Sequence, residues 1–139
     1  MQLTKHTDYA FRVLIYLASL PETELVKIQD VADLFDISRN HIMKIVNKLA
    51  RAGFVQSVRG NQGGIRLGAA AETINLRQVV ELMEATLVPV NCHVPLCKLE
   101  KKCRLKGILF QAQADYLSSL ENYTLADIVI NSIFADRSQ

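Results

Sequence analysis

Residues 28–67 read IQDVADLFDISRNHIMKIVNKLARAGFVQSVRGNQGGIRL, and the order of patterns within them decides the fold. Ile28, Val31, Ala32 and Phe35 recur at helical spacing on one side of a short first segment. Asp36-Ile37 makes a tight turn, and Ser38 is a good N-cap for the segment that follows. That segment turns Ile42, Ile45, Val46 and Leu49 inward and leaves Arg39, Asn40, Lys44, Lys48 and Arg51 largely outward. Gly53 supplies the stop. Phe54 to Arg59 then has a strand pattern, Gly60-Asn61-Gln62-Gly63-Gly64 a turn, and Ile65-Arg66-Leu67 returns as a second strand. Two closely joined helices, the second basic on its free face, followed by a Gly-rich hairpin, make the pattern of a winged helix-turn-helix.

Charge sharpens that reading. The 139-residue chain carries a net charge of only +2, but no Asp or Glu occurs from position 37 to 71. Arg39, Lys44, Lys48, Arg51, Arg59 and Arg66 all fall in that window. A solvated basic face or a protein-contact surface is the plainer explanation; the complete lack of acids favours DNA. Ser38, Arg39, Asn40 and His41 occupy the first turn, where a recognition helix meets base edges. Lys44, Lys48 and Arg51 suit phosphates, and Arg59 with Asn61 at the hairpin suits a minor groove or phosphates.

Upstream, a helix is expected over residues 7–20, ended by Pro21, with Ala10, Val13, Leu14, Leu17 and Ala18 on one face. Tyr9, Arg12, Tyr16 and Ser19 form a second stripe, half aromatic and half polar. Arg12 interrupts the apolar run from Ala10 to Leu20, which is too short to span a bilayer. A cytoplasmic location is therefore expected, and with it reduced thiols. Downstream, a helix over 76–85 presents Val79, Val80, Leu82 and Met83. A longer one over 105–120 lines up Leu105, Ile108, Leu109, Ala112, Tyr116, Leu117 and Leu120. A stripe of that length at the edge of a small domain is most economically buried against a second copy, which also suits a palindromic operator. A last helix is expected from Thr124 through Ile130.

All three cysteines of the chain, Cys92, Cys97 and Cys103, fall in the loop 91–104. An odd count leaves one thiol over from any internal pairing, and three thiolates on one loop make most of a soft-metal site. Burial in a core is the alternative, but Asn91, His93, Lys98, Lys101, Lys102 and Arg104 are not core neighbours. Zinc bound by three cysteines with His93 stays open beside an iron–sulfur cluster, since the spacing matches no common ferredoxin pattern. Cations around the loop, opposed only by Glu100, suit an anionic group. Asp8 reads most simply as a cap or a dipole partner of the first helix. No nucleophile–base constellation is apparent, so an enzyme is not expected.

Thr7-Asp8-Tyr9-Ala10, Ser38-Arg39-Asn40-His41, Arg51-Ala52-Gly53, Val58-Arg59-Gly60, Gly63-Gly64-Ile65-Arg66-Leu67 and the three cysteines together resemble the bacterial iron–sulfur winged-helix repressors of the IscR/RirA/NsrR type. Asn91-Cys92, Cys103-Arg104-Leu105-Lys106 and Asn122-Tyr123-Thr124-Leu125-Ala126-Asp127 are most similar to its nitric-oxide-sensing NsrR branch. The resemblance spans nearly the whole chain. It implies a homodimer holding a [4Fe-4S] cluster, with [2Fe-2S] as the alternative, through Cys92, Cys97 and Cys103. It also makes the partner subunit's Asp8 the fourth ligand; His93 departs from the pattern.

The expected class is thus mainly α: a winged helix-turn-helix DNA-binding domain over 1–70, then a cluster-binding loop and dimerisation helices over 71–139. The expected function is a nitric-oxide-sensitive repressor that binds operator DNA as a homodimer. A regulator of iron or iron–sulfur status and a zinc-stabilised protein-interaction module are the alternatives.

Overall fold

The computed structural model describes residues 2–130. Helix α1 (Lys5–Ala18) buries Ala10, Val13, Leu14 and Leu17 of the stripe expected of it, with Ala18 half-buried at its end. It starts two residues early because Glu84 accepts both the backbone N–H (3.0 Å) and the hydroxyl (2.7 Å) of Thr4, taking up donors that a helix start leaves unpaired. Asp8 is therefore a first-turn residue and not the cap. Tyr16 was placed on the second, half-polar stripe, but it is buried, packing edge-on against Phe35 with ring centroids 6.2 Å apart.

Helix α2 (Ile28–Phe35) ends at Asp36, whose left-handed backbone (φ 54°) makes the tight turn. The Ser38 hydroxyl then accepts the His41 N–H at 3.2 Å and starts α3 (Arg39–Arg51). Ile42, Ile45, Val46 and Leu49 are buried as the period requires. Each such side chain contributes about 1.5–3 kcal/mol through burial. Gly53 takes the left-handed conformation (φ 82°) just past α3, and the chain enters a two-stranded antiparallel sheet. Strand β1 (Val55–Val58) pairs with β2 (Gly64–Leu67), Gln56 opposite Arg66. The hairpin does not stand alone: Val26 and Ile65 exchange backbone hydrogen bonds at 2.8 and 3.0 Å. A side chain at Gly64 would bring its Cβ to 2.6 Å from the Val26 carbonyl oxygen, so glycine is required there.

Beyond the wing, helix α4 (Leu76–Met83), which packs on both α1 and α5 (Arg104–Glu121), buries Val79 and Met83 in the main core and Leu76 and Val80 outside it, while Leu82 is only half-buried. The expected tail helix is a single 3-10 turn at Leu125–Ile128. Leu125 explains the difference. Its side chain is fully buried in the main core and its N–H donates to the Ile74 carbonyl at 2.8 Å, pulling the chain inward. The core thus draws Ile74, Val79, Met83 and Leu125 from beyond residue 70 together with α1 and α3. Residues 131–139 of the expected second unit lie outside the described residues.

Helix α5 (Arg104–Glu121) has no buried residue along its eighteen positions. Leu109, Tyr116, Leu117 and Leu120 are half covered; Leu105 and Ile108 are 59% and 61% exposed. Polar ties hold it to the rest: Arg77 to Glu121 at 3.0 Å, the Asn75 amide to the Glu121 carbonyl at 2.7 Å, and Gln113 to the Leu87 carbonyl.

Candidate nucleic-acid interface and cysteine loop

The first turn of α3 and the wing face the same way. Between them and the start of α2 lies a groove of about 420 Å³, lined by Lys27, Gln29, Arg39, Arg59, Asn61 and Gly63 among others, with no acid in its wall. Ser38, Arg39, Asn40, Lys44, Arg51, Arg59 and Asn61 are exposed, while His41 and Lys48 are half-buried. The Arg39 guanidinium rests 3.3 Å from the Met43 sulfur, a weak acceptor that an incoming anion can displace. Lys27 and Gln29 were not singled out in the sequence, because only the folded wing brings positions 27 and 59 into one wall.

Behind this face the structure joins residues that the sequence left unrelated. His6 and His41 stack with their rings 5.8 Å apart, and Tyr9 meets His41 edge-on at 5.1 Å. The Arg12 guanidinium lies 5.4 Å from the centre of the Tyr9 ring and grips Asp8 with two nitrogens, at 2.9 and 3.1 Å. Asp8 in turn raises the Arg12 pKa above its ordinary value. Burial, then the neighbouring Lys48 and His41, lower that of His6. Asp8 is thus about half exposed and ion-paired to its own helix.

Cys92, Cys97 and Cys103 are all free thiols; Cys92 is buried and the others half-buried. The loop is knitted by the Cys97 N–H donating to the Cys92 carbonyl at 2.9 Å, and by Asn91, whose side-chain oxygen accepts the N–H groups of His93 and Val94. Lys106, in the first turn of α5, donates to Glu100 at 3.1 Å, which lifts the Lys106 pKa. His93 faces the same carboxylate at 3.4 Å. Among the described residues no group of three His, Cys, Asp or Glu side chains forms a site for a metal ion. Three soft thiols next to a lysine fit a thiolate-bound, multi-iron anionic group by their chemistry, because such a group takes its ligands around a core several atoms wide.

The family model described as Rrf2, iron-dependent transcriptional regulator, matches residues 3–131. The chain belongs to the Rrf2 family. The Rrf2 assignment makes it a DNA-binding transcriptional regulator and not an enzyme. Solved structures agree on the fold. IscR of T. potens superposes with a TM-score of 0.74 at 20% identity, over 100% of this chain and 91% of that one. CymR, the global cysteine regulator of B. subtilis, gives 0.69 at 22% identity, over 92% and 95%. CymR of Staphylococcus aureus gives 0.70 at 24%, over 88% and 93%. The mainly helical winged-helix architecture is the one these Rrf2 proteins share. Among the described residues no helix is long and apolar enough to cross a membrane.

Proposed function

We propose that this Rrf2 protein is a homodimeric repressor whose operator binding is switched by a [4Fe-4S] cluster and released by nitric oxide. The observation that carries the reading is the pairing of an acid-free recognition face with three free thiols on one loop. Cys92, Cys97 and Cys103 would hold the group, with the partner subunit's Asp8 completing the set. When bound, the cluster supplies iron open to nitric oxide, most readily where a carboxylate replaces a thiolate.

The chain's own residues then do the rest. Arg39, Asn40 and His41 read base edges, Lys44, Lys48 and Arg51 hold phosphates, and Arg59 and Asn61 extend the contact from the wing. Asp8 is accessible at the surface but held by Arg12, so serving another subunit requires leaving that ion pair. Arg12 lies over the Tyr9 ring and Tyr9 meets His41 edge-on, so a change at Asp8 reaches the recognition helix in three contacts. The uncovered face of α5, with Leu105 and Ile108, is the surface for the second copy.

An anaerobic titration with nitric oxide, following visible absorbance and operator binding together, tests the proposal. Loss of colour in step with loss of DNA binding supports it. A colourless zinc protein with DNA binding indifferent to nitric oxide sinks it in favour of structural cysteines. The description of the family model as iron-dependent favours a second reading, a sensor of iron or iron–sulfur supply. In that case DNA binding follows cluster occupancy under iron chelation and not nitric oxide.

A further inference from the structure

We infer that Glu100 is the positioning residue of the cysteine loop: it ties the turn between Cys97 and Cys103 to Lys106 at the start of α5, with His93, next to Cys92, facing the same carboxylate, and so holds the loop closed around its thiols. The inference rests on the reading of those thiols as ligands.

The geometry is specific. One oxygen of Glu100 lies 3.1 Å from the Lys106 ammonium and 3.4 Å from Nδ1 of His93. His93 precedes Cys97 and Lys106 follows Cys103, so this one carboxylate links the two sides of the loop. Its side chain is only 23% exposed, the least exposed of the three.

Apart from the Cys97–Cys92 backbone bond and the Asn91 turn, the loop has little else to hold it. Val94, Leu96 and Leu99 are 77%, 71% and 69% exposed, so apolar burial hardly contributes. Cys92 is its buried anchor. Between Cys97 and Cys103 only short-range backbone bonds remain, from the Glu100 N–H to the Cys97 carbonyl and from the Lys102 N–H to the Leu99 carbonyl. Such i to i+3 bonds form turns and do not fix a turn to its surroundings. The Cys97 N–H already ties this turn back to the Cys92 carbonyl; the Glu100 carboxylate is the side-chain bond that joins it to α5.

Glu100 acts here as a positioning residue, its carboxylate accepting from Lys106 at 3.1 Å, and the visible spectrum separates that role from a ligand's. Its loss should loosen the frame in which Cys97 and Cys103 are presented. The cluster-free protein should show this as clearly as the loaded one.

The test uses the full chain in both forms. In the cluster-free form, amide hydrogen exchange across 97–103 should quicken about fivefold in Glu100→Gln, the size expected when one partly exposed ion pair is removed. The double variant E100K/K106E, which exchanges the two charges of the Lys106 pair alone, should restore the rate in part, and Glu121→Gln should leave it unchanged. In the reconstituted form, Glu100→Gln should lose iron to a chelator faster with an unaltered visible spectrum. Unchanged exchange in Glu100→Gln overturns the inference. Faster exchange that the charge exchange fails to rescue overturns it as well, and so does an altered spectrum, which would make Glu100 a ligand. Rescued exchange in a chain that takes up no iron keeps the inference and removes the cluster reading instead.

Discussion

His6 of α1 lies ring over ring on His41 of the recognition helix, centroids 5.8 Å apart and planes within 8°. With Tyr9 edge-on to the same imidazole, the start of the recognition helix is seated on aromatic rings of α1. Aromatic pairs of this kind are worth about 0.5–1.5 kcal/mol beyond burial. Tyr9→Ala should therefore cost about 1 kcal/mol of stability by that measure and weaken operator binding further than stability alone explains. Urea melts and operator titrations on one preparation separate the two effects.

Arg59→Ala on the wing and Lys44→Ala on α3 each remove an exposed cation from the acid-free face. If each meets a phosphate, affinity falls for every sequence alike and the slope of log affinity against log salt drops by about one. Arg39→Ala should instead relax discrimination at one base pair, by about 1–3 kcal/mol. Equal salt slopes in all three variants would place the DNA elsewhere.

Glu84 gives an acid-dependent prediction. Burial works against its charge, but the hydrogen bonds from the Thr4 hydroxyl and N–H outweigh that, and its pKa lies below the ordinary 4.5. A depressed carboxyl contributes stability that is present above its unfolded pKa and lost as pH falls through the folded value. Glu84→Gln should be less stable than the parent at neutral pH, and the gap should close below the ordinary carboxylate range. Chemical melts across an acid series check this.

Cys97→Ser should abolish visible absorbance and release repression while leaving the circular dichroism melt close to the parent, because Cys97 is half-buried and outside the main core. Leu125→Ala should behave in the opposite way. It empties a fully buried position, and about 2–5 kcal/mol of stability should go with it.

Ile108→Glu on the exposed face of α5 should leave the fold intact and shift sedimentation from dimer to monomer, with operator affinity falling in parallel. A dimer unchanged by that charge would place the subunit contact on another surface.

The helix-turn-helix was legible because its signals are local. Ser38 caps through its own side chain, and Ile42, Ile45, Val46 and Leu49 keep a 3.6-residue period that burial obeys. The second stripe of α1 was legible, but not which of its residues is buried: Tyr16 is interior because Phe35 comes to it from another helix. The tail misled for a related reason: Leu125 is drawn to Ile74, a partner fifty-one positions away that no periodicity reports. At the candidate site, cysteine spacing and the basic run were visible in the chain. The stacking of His6 on His41 and the double tie at Glu100 depend on side chains converging in space, which sequence separation conceals.

The bridge between Val26 and Ile65, made possible by the bare backbone at Gly64, has a mechanical meaning. A hairpin joined only to the end of the helix before it would swing like a door. This one is latched on its second strand to the segment that launches α2, so wing and helix-turn-helix form a caliper of fixed gauge. The bridge therefore sets the backbone spacing between the start of α2 and the wing's second strand. In the proposed dimer, a signal would then act by re-aiming two such calipers against each other, and a longer side chain at Gly64 would spoil the gauge without touching DNA.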